Sequence, residues 1–74
     1  MNSIPKGIYE HYKGKQYQVL DFAIHTETQE EMVVYKALYQ GNFPQDALWV
    51  RPLKMFKEDV VVDGKSVPRF KLVS

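Results

Sequence analysis

Trp49-Val50-Arg51-Pro52 places a large ring and a guanidinium two residues apart. On an extended strand such residues share a face, so Trp49 and Arg51 would stand side by side. Pro68-Arg69-Phe70 sets a second arginine beside a ring, and Tyr9, Tyr12, Tyr17, Tyr35 and Tyr39 add further rings. Rings with an arginine fork can stack a base, hold a carboxylate or phosphate through paired donors, or cage a cation. Trp, Tyr and Arg also dominate protein interfaces. A plainer reading makes Trp49 the centre of a small core. It pairs Arg51 and Arg69 with Glu27, Glu30, Glu31 or Asp21, since small cores depend heavily on aromatic burial.

Histidines supply the second kind of chemistry. In His25-Thr26-Glu27-Thr28 a carboxylate near an imidazole could orient and charge it for acid–base work. Nucleophilic catalysis would further need an activated hydroxyl within reach of its base, and Thr26 and Thr28 have no supporting feature. In a turn these side chains more often bond free backbone N–H groups. His11 and His25 fall on opposite faces of the expected hairpin, which disfavours a shared metal, because zinc needs about four convergent donors. Gly7, Gly14, Gly41 and Gly64 are too far apart for a phosphate loop or dinucleotide fingerprint, so no cofactor is expected. Lys13 and Lys15 flank Gly14 and could touch a phosphate, although lysines on a hairpin tip are most often solvated.

The elements that must position these residues are short. Gly7–Lys13 and Gln16–Thr26 read as strands rich in Tyr, Val, Ile and Phe. Gly14-Lys15 between them fits a two-residue hairpin turn, which would pair Lys13 with Gln16, Tyr12 with Tyr17 and Tyr9 with Leu20. That register selects Leu20, Phe22 and Ile24 as core. TETQEE at 26–31 reads as a connecting turn and MVVYKALYQ at 32–40 as a third strand, with a helix through Met32–Tyr39 as the rival. GNFPQD is turn chemistry. Ala47–Arg51 is a short strand, and Leu53–Glu58 a single helical or 3-10 turn after Pro52. Asp63-Gly64 signals another hairpin, and Ser66–Val73 is a last strand pushed to an edge by Pro68. About five strands, short links and one helical turn fit a mainly β fold. It would be a small, strongly bent barrel of the SH3-like kind, preceded by a lead-in at residues 1–6 and occupying residues 7–74 as one domain.

Composition sets the outer bounds. The chain has 74 residues, no cysteine, 14% aromatics and a net charge of +1 from 10 basic and 9 acidic side chains. That balance argues against nucleic-acid binding driven by bulk charge. No apolar run approaches the roughly 20 residues of a membrane span. MNSIPKGIYEHY lacks the apolar core of a signal peptide, so a cytoplasmic address is expected.

Four blocks carry a wider likeness: GIYEHYKGKQYQVL, HTETQEEMVVYKALY, LWVRPLKMF and VPRFKLV. In order and spacing they resemble a small bacterial family, domain-of-unknown-function family 1653, from Gly7 to about Leu72. The resemblance implies a compact SH3-type barrel and no agreed activity. The leading expectation is a non-enzymatic binding module. It would present Tyr12, His25, Tyr35, Trp49, Arg51 and Arg69, with Glu27 beside His25, to a protein segment, a nucleotide or short RNA. The alternatives are a small enzyme using His25 and Glu27, and a structural domain that pairs with its own copy.

Overall fold

The structure is a computed structural model describing residues 4–74, so the first three residues of the expected lead-in lie outside it. It is mainly β, with seven strands and one helical turn. In chain order these are β1 (Gly7–His11), β2 (Gln16–Ile24), β3 (Glu31–Ala37), β4 (Trp49–Pro52), α1 (Leu53–Phe56), β5 (Asp59–Val62), β6 (Lys65–Pro68) and β7 (Phe70–Leu72). Five strands form one antiparallel sheet in the order β4-β3-β2-β1-β7, and β5 and β6 form a separate hairpin. Met32–Tyr39 is no helix: Val33, Val34 and Tyr35 lie in β3, which pairs along its length with β2, and Leu38 and Tyr39 follow the strand.

The first hairpin corrects the expected register. The Gly14 N–H donates to the His11 carbonyl at 2.7 Å, and the His11 N–H donates to the Lys15 carbonyl at 2.7 Å. The loop is therefore Tyr12-Lys13-Gly14, with Gly14 at φ +99° taking the left-handed position of a three-residue turn. Tyr9 pairs with Tyr17 and Glu10 with Gln16, three positions from the expected register. An odd shift exchanges the faces of one strand relative to the other. Tyr9 and Val19 are thus buried at 4% and 2% exposure, where the expected core had been Leu20, Phe22 and Ile24. A bulge between Val19 and Asp21 then resets β2 against β3. It sets Phe22 opposite Val33, and Phe22 packs at the core's margin, while Ile24 lies exposed at the strand's end.

The inner face carries Tyr9, Val19, Val33, Tyr35 and Phe70, closed at one end by Leu53 and Phe56 of α1. Pro52 precedes that turn, and the three-residue spacing of Leu53 and Phe56 aims both inward. Phe56 and Phe70 lie parallel with centroids 4.0 Å apart, and Tyr9 and Tyr35 meet Phe56 edge to face. This stack fills the centre that the plainer reading gave to Trp49. Trp49 is instead 41% exposed, on an edge strand.

The sheet bends strongly without closing. β4 and β7 are its opposite edges, yet the Arg51 guanidinium of β4 lies 5.4 Å from the centroid of Phe70 on β7. Side chains therefore bridge the seam, and among the described residues no backbone ladder joins these two strands. The expected last strand is split at Arg69, whose N–H and carbonyl bond Glu58 and Tyr12. β6 leaves to pair with β5 through Asp63-Gly64, whose φ values of +51° and +78° suit a two-residue hairpin. Among the described residues no helix is long and apolar enough to cross a membrane.

Candidate functional site

At the end of the sheet that holds the β1–β2 turn, ring contacts run without a break. Trp49 meets Phe43 at 5.4 Å and Phe43 meets Tyr39 at 5.7 Å, both edge to face. Tyr39 meets Tyr17 at 5.5 Å, and Tyr17 touches His11 at 6.4 Å and Phe70 at 5.7 Å. His11 lies on Tyr12 at 4.5 Å. Strand register explains much of this run. Trp49 and Arg51 stand opposite Tyr35 and Val33, so β4 turns both toward the inner face. His11 stands opposite Phe70 across β1 and β7.

Three cations lie over these rings. Lys13 is 5.8 Å from the Tyr12 centroid, Lys15 is 4.9 Å from Tyr39, and Arg51 is 5.4 Å from Phe70. Among the described residues none of the three forms an ion pair. Two of them, Arg51 and Lys13, act on His11. Burial first, then the positive charges of Arg51, Arg69 and Lys13, hold its imidazole below the ordinary value. Neutral His11 accepts the Lys13 N–H at Nδ1, 3.2 Å away, so its proton sits on Nε2. The hydroxyls of Tyr17 and Tyr39 are 2.9 Å apart. Burial, then this bond, pushes the Tyr17 pKa up to about 12. One hydrogen fills the bond, and the other is free to donate elsewhere. The side chains of this end thus offer N–H and O–H donors, with positive charge behind them.

The expected surface residues do not all converge. Trp49, Arg51 and Tyr12 border this end, and Tyr35 lies beneath it, buried at 6% exposure. Arg69 is engaged by Glu58 at 3.2 Å, a partner outside the four acids expected for it. His25 and Glu27 lie in the β2–β3 loop, beyond the opposite end of β2. There His25 Nδ1 accepts the N–H groups of Glu27 and Thr28 at 3.2 and 3.3 Å. Both bonds help to close the turn. Phe43 joins the site from a segment read only as a turn, and Tyr39 and Lys15, noted as a ring and a phosphate contact, join it from outside the expected surface set. A three-residue reading of the first turn would have moved Lys15 beside β3, whose continuation bonds Gln16 through the Leu38 N–H.

A second groove, of about 490 Å³, adjoins this end through His11 and Tyr12 and lies between the β5–β6 hairpin and β1 and β7. Tyr12, Val62, Val67 and Pro68 supply its apolar wall, and Glu10 and Lys71 stand opposite. A smaller hollow of about 260 Å³ beside Tyr39 is bordered by Lys36, Gln40 and Asp46.

Among curated proteins none matches this chain. A crystal structure of a DUF1653 protein from Bordetella bronchiseptica is similar over 96% of this chain and 88% of that one, at 35% identity and a TM-score of 0.86. The family described as protein of unknown function (DUF1653) matches residues 7–72. With nearly its whole length matched in sequence and in fold, the chain belongs to the DUF1653 family.

Proposed function

We propose that this chain is a non-enzymatic binding module that holds an anionic, nucleotide-like ligand on its aromatic–arginine end. Arg51 carries the reading. Its guanidinium rests against Phe70 at the seam, and among the described residues no carboxylate pairs with it. A planar cation on a ring keeps its N–H edges available for paired bonds to a phosphate or carboxylate. Lys15, the free tyrosine hydroxyl and His11 Nε2 supply further donors, and Trp49, 41% exposed, supplies a ring for stacking. Charge-assisted bonds contribute about 1.5–3 kcal/mol each. After the cost of association, an affinity between about 1 mM and 1 µM follows for a mononucleotide. The reading includes the cytoplasmic address expected from the sequence.

Trp49 is the one tryptophan, so it reports directly on its own site. Titrating the protein with uridine 5′-monophosphate should quench its fluorescence saturably, and Arg51→Met should abolish the saturable part. A linear response, equal in both proteins, would refute the reading. The groove beside the β5–β6 hairpin supports a second reading, an extended apolar protein segment packed on Val62 and Val67. Such a ligand would leave Trp49 silent and shift the amide signals of those valines.

A further inference from the structure

We propose that the physiological ligand of this end is a single-stranded nucleic acid, with bases stacked on Trp49 and Tyr12 and phosphates meeting Lys13, Lys15 and Arg51. The proposal rests on the anion-binding reading above and names its ligand class. Trp49 and Tyr12 are the exposed ends of the ring run, at 41% and 39% exposure, and the rings between them are more covered. Trp49 lies on β4, and Tyr12 follows β1, three strands away in the sheet. Phe43, Tyr39, Tyr17 and His11 stand between them in the run of ring contacts, so they are separate platforms. A ligand with several bases reaches both platforms. The cations lie on or next to rings of the same run, over Tyr12, Tyr39 and Phe70, so ring and charge alternate across the surface. Single-strand binding sites are built in this way, with stacking platforms beside a charged track.

An acidic peptide would also satisfy the three cations. It would leave the faces of Trp49 and Tyr12 in water, and those two rings decide between the ligands. The chain's net charge of only +1 means that attraction is local. Salt dependence should therefore reflect the three named cations and little else. At about −0.7 per neutralised phosphate on a single strand, the slope of log affinity against log salt comes to about −2.

Fluorescence anisotropy with end-labelled octauridylate, octathymidylate and oligoglutamate of equal charge tests this on the whole chain. The expected result is oligonucleotide binding with a slope of about −2, and oligoglutamate at least tenfold weaker. Joint Lys13→Ala and Lys15→Ala changes should reduce the slope to about −0.7. Trp49→Ala should weaken binding about 5- to 150-fold with the slope unchanged. Tyr12→Ala, at a turn tip where folding is not at stake, should do the same, and circular dichroism confirms that each variant is folded. Binding of either oligonucleotide with these properties supports the proposal, and the RNA-to-DNA ratio reports whether the 2′-hydroxyl is read. If oligoglutamate binds as well as both oligonucleotides, the nucleic-acid assignment is wrong while the anion reading stands. If no anionic probe binds at 50 mM salt, both are wrong.

Discussion

Arg51→Met separates the two things that Arg51 does at the seam. The arginine covers part of Phe70 with its stem and guanidinium and places a positive charge near His11. Methionine keeps a flexible apolar cover and makes favourable sulfur–ring contacts, so most of the packing survives. What is lost is the cation–ring attraction, about 0.5–1 kcal/mol at a partly exposed site. In a domain of this size 1 kcal/mol shifts the melting temperature by about 4–8 °C, so a fall of about 8 °C or less is expected. The His11 pKa responds separately. Burial is the largest cause of its depression and stays, while the Arg51 charge, the next cause, goes. His11 should therefore titrate higher in the variant than in the wild type, yet still below the ordinary 6.5. Thermal unfolding and NMR titration of the imidazole give the two readings. An unfolded variant would show that Arg51 is a core residue. An unmoved His11 would show that the guanidinium does not face it.

Other outcomes follow from the same geometry. Phe56→Ala removes a ring at 2% exposure that stacks on Phe70, at about 3–5 kcal/mol. Against a total of roughly 4–11 kcal/mol for a chain of this length, urea midpoints should collapse, and a loss below about 1 kcal/mol would contradict the central stack. Gly14→Ala meets open space but keeps φ at +99°, so about 1–2 kcal/mol of backbone strain should appear in urea unfolding, and none would appear if the turn were not left-handed. Tyr17 prefers its protonated form when folded, at about 12 against an ordinary 10.0. Its stabilising contribution is intact below pH 10 and should be lost as pH rises toward 12, and Tyr39→Phe should narrow that window. His11 works at the other end of the scale. Its folded value is depressed, so its contribution is intact above pH 6.5 and is lost as pH falls through the folded value.

Local chemistry made parts of this fold legible and hid others. Asp63-Gly64 was readable because a two-residue hairpin needs two positive φ values, which few residues tolerate. Leu53 and Phe56 after Pro52 were readable from spacing alone. Gly14 was ambiguous in kind: a glycine serves the first position of a two-residue turn and the last of a three-residue turn equally well. The choice alters every pairing downstream, which is why Val19 took the place expected for Leu20. No residue type marks the bulge after Val19, which depends on pairing with β3. The candidate site was half legible. Trp49 and Arg51 share a face as their spacing implied, because a strand's period of two is local. The seam that brings Arg51 to Phe70 comes from the curl of the whole sheet. Glu58 as the partner of Arg69 arises where β5 and β6 leave the sheet. Neither could be read from neighbours in the chain.

The central claim is that Arg51 offers its donors to an anion at the sheet's seam while Arg69 is already engaged. The side-chain Nε–H signals of the two arginines, followed by NMR while inorganic pyrophosphate is added, test it most directly. The account predicts a saturable shift at Arg51 and almost none at Arg69. A stationary Arg51 beside a moving Arg69 would contradict it.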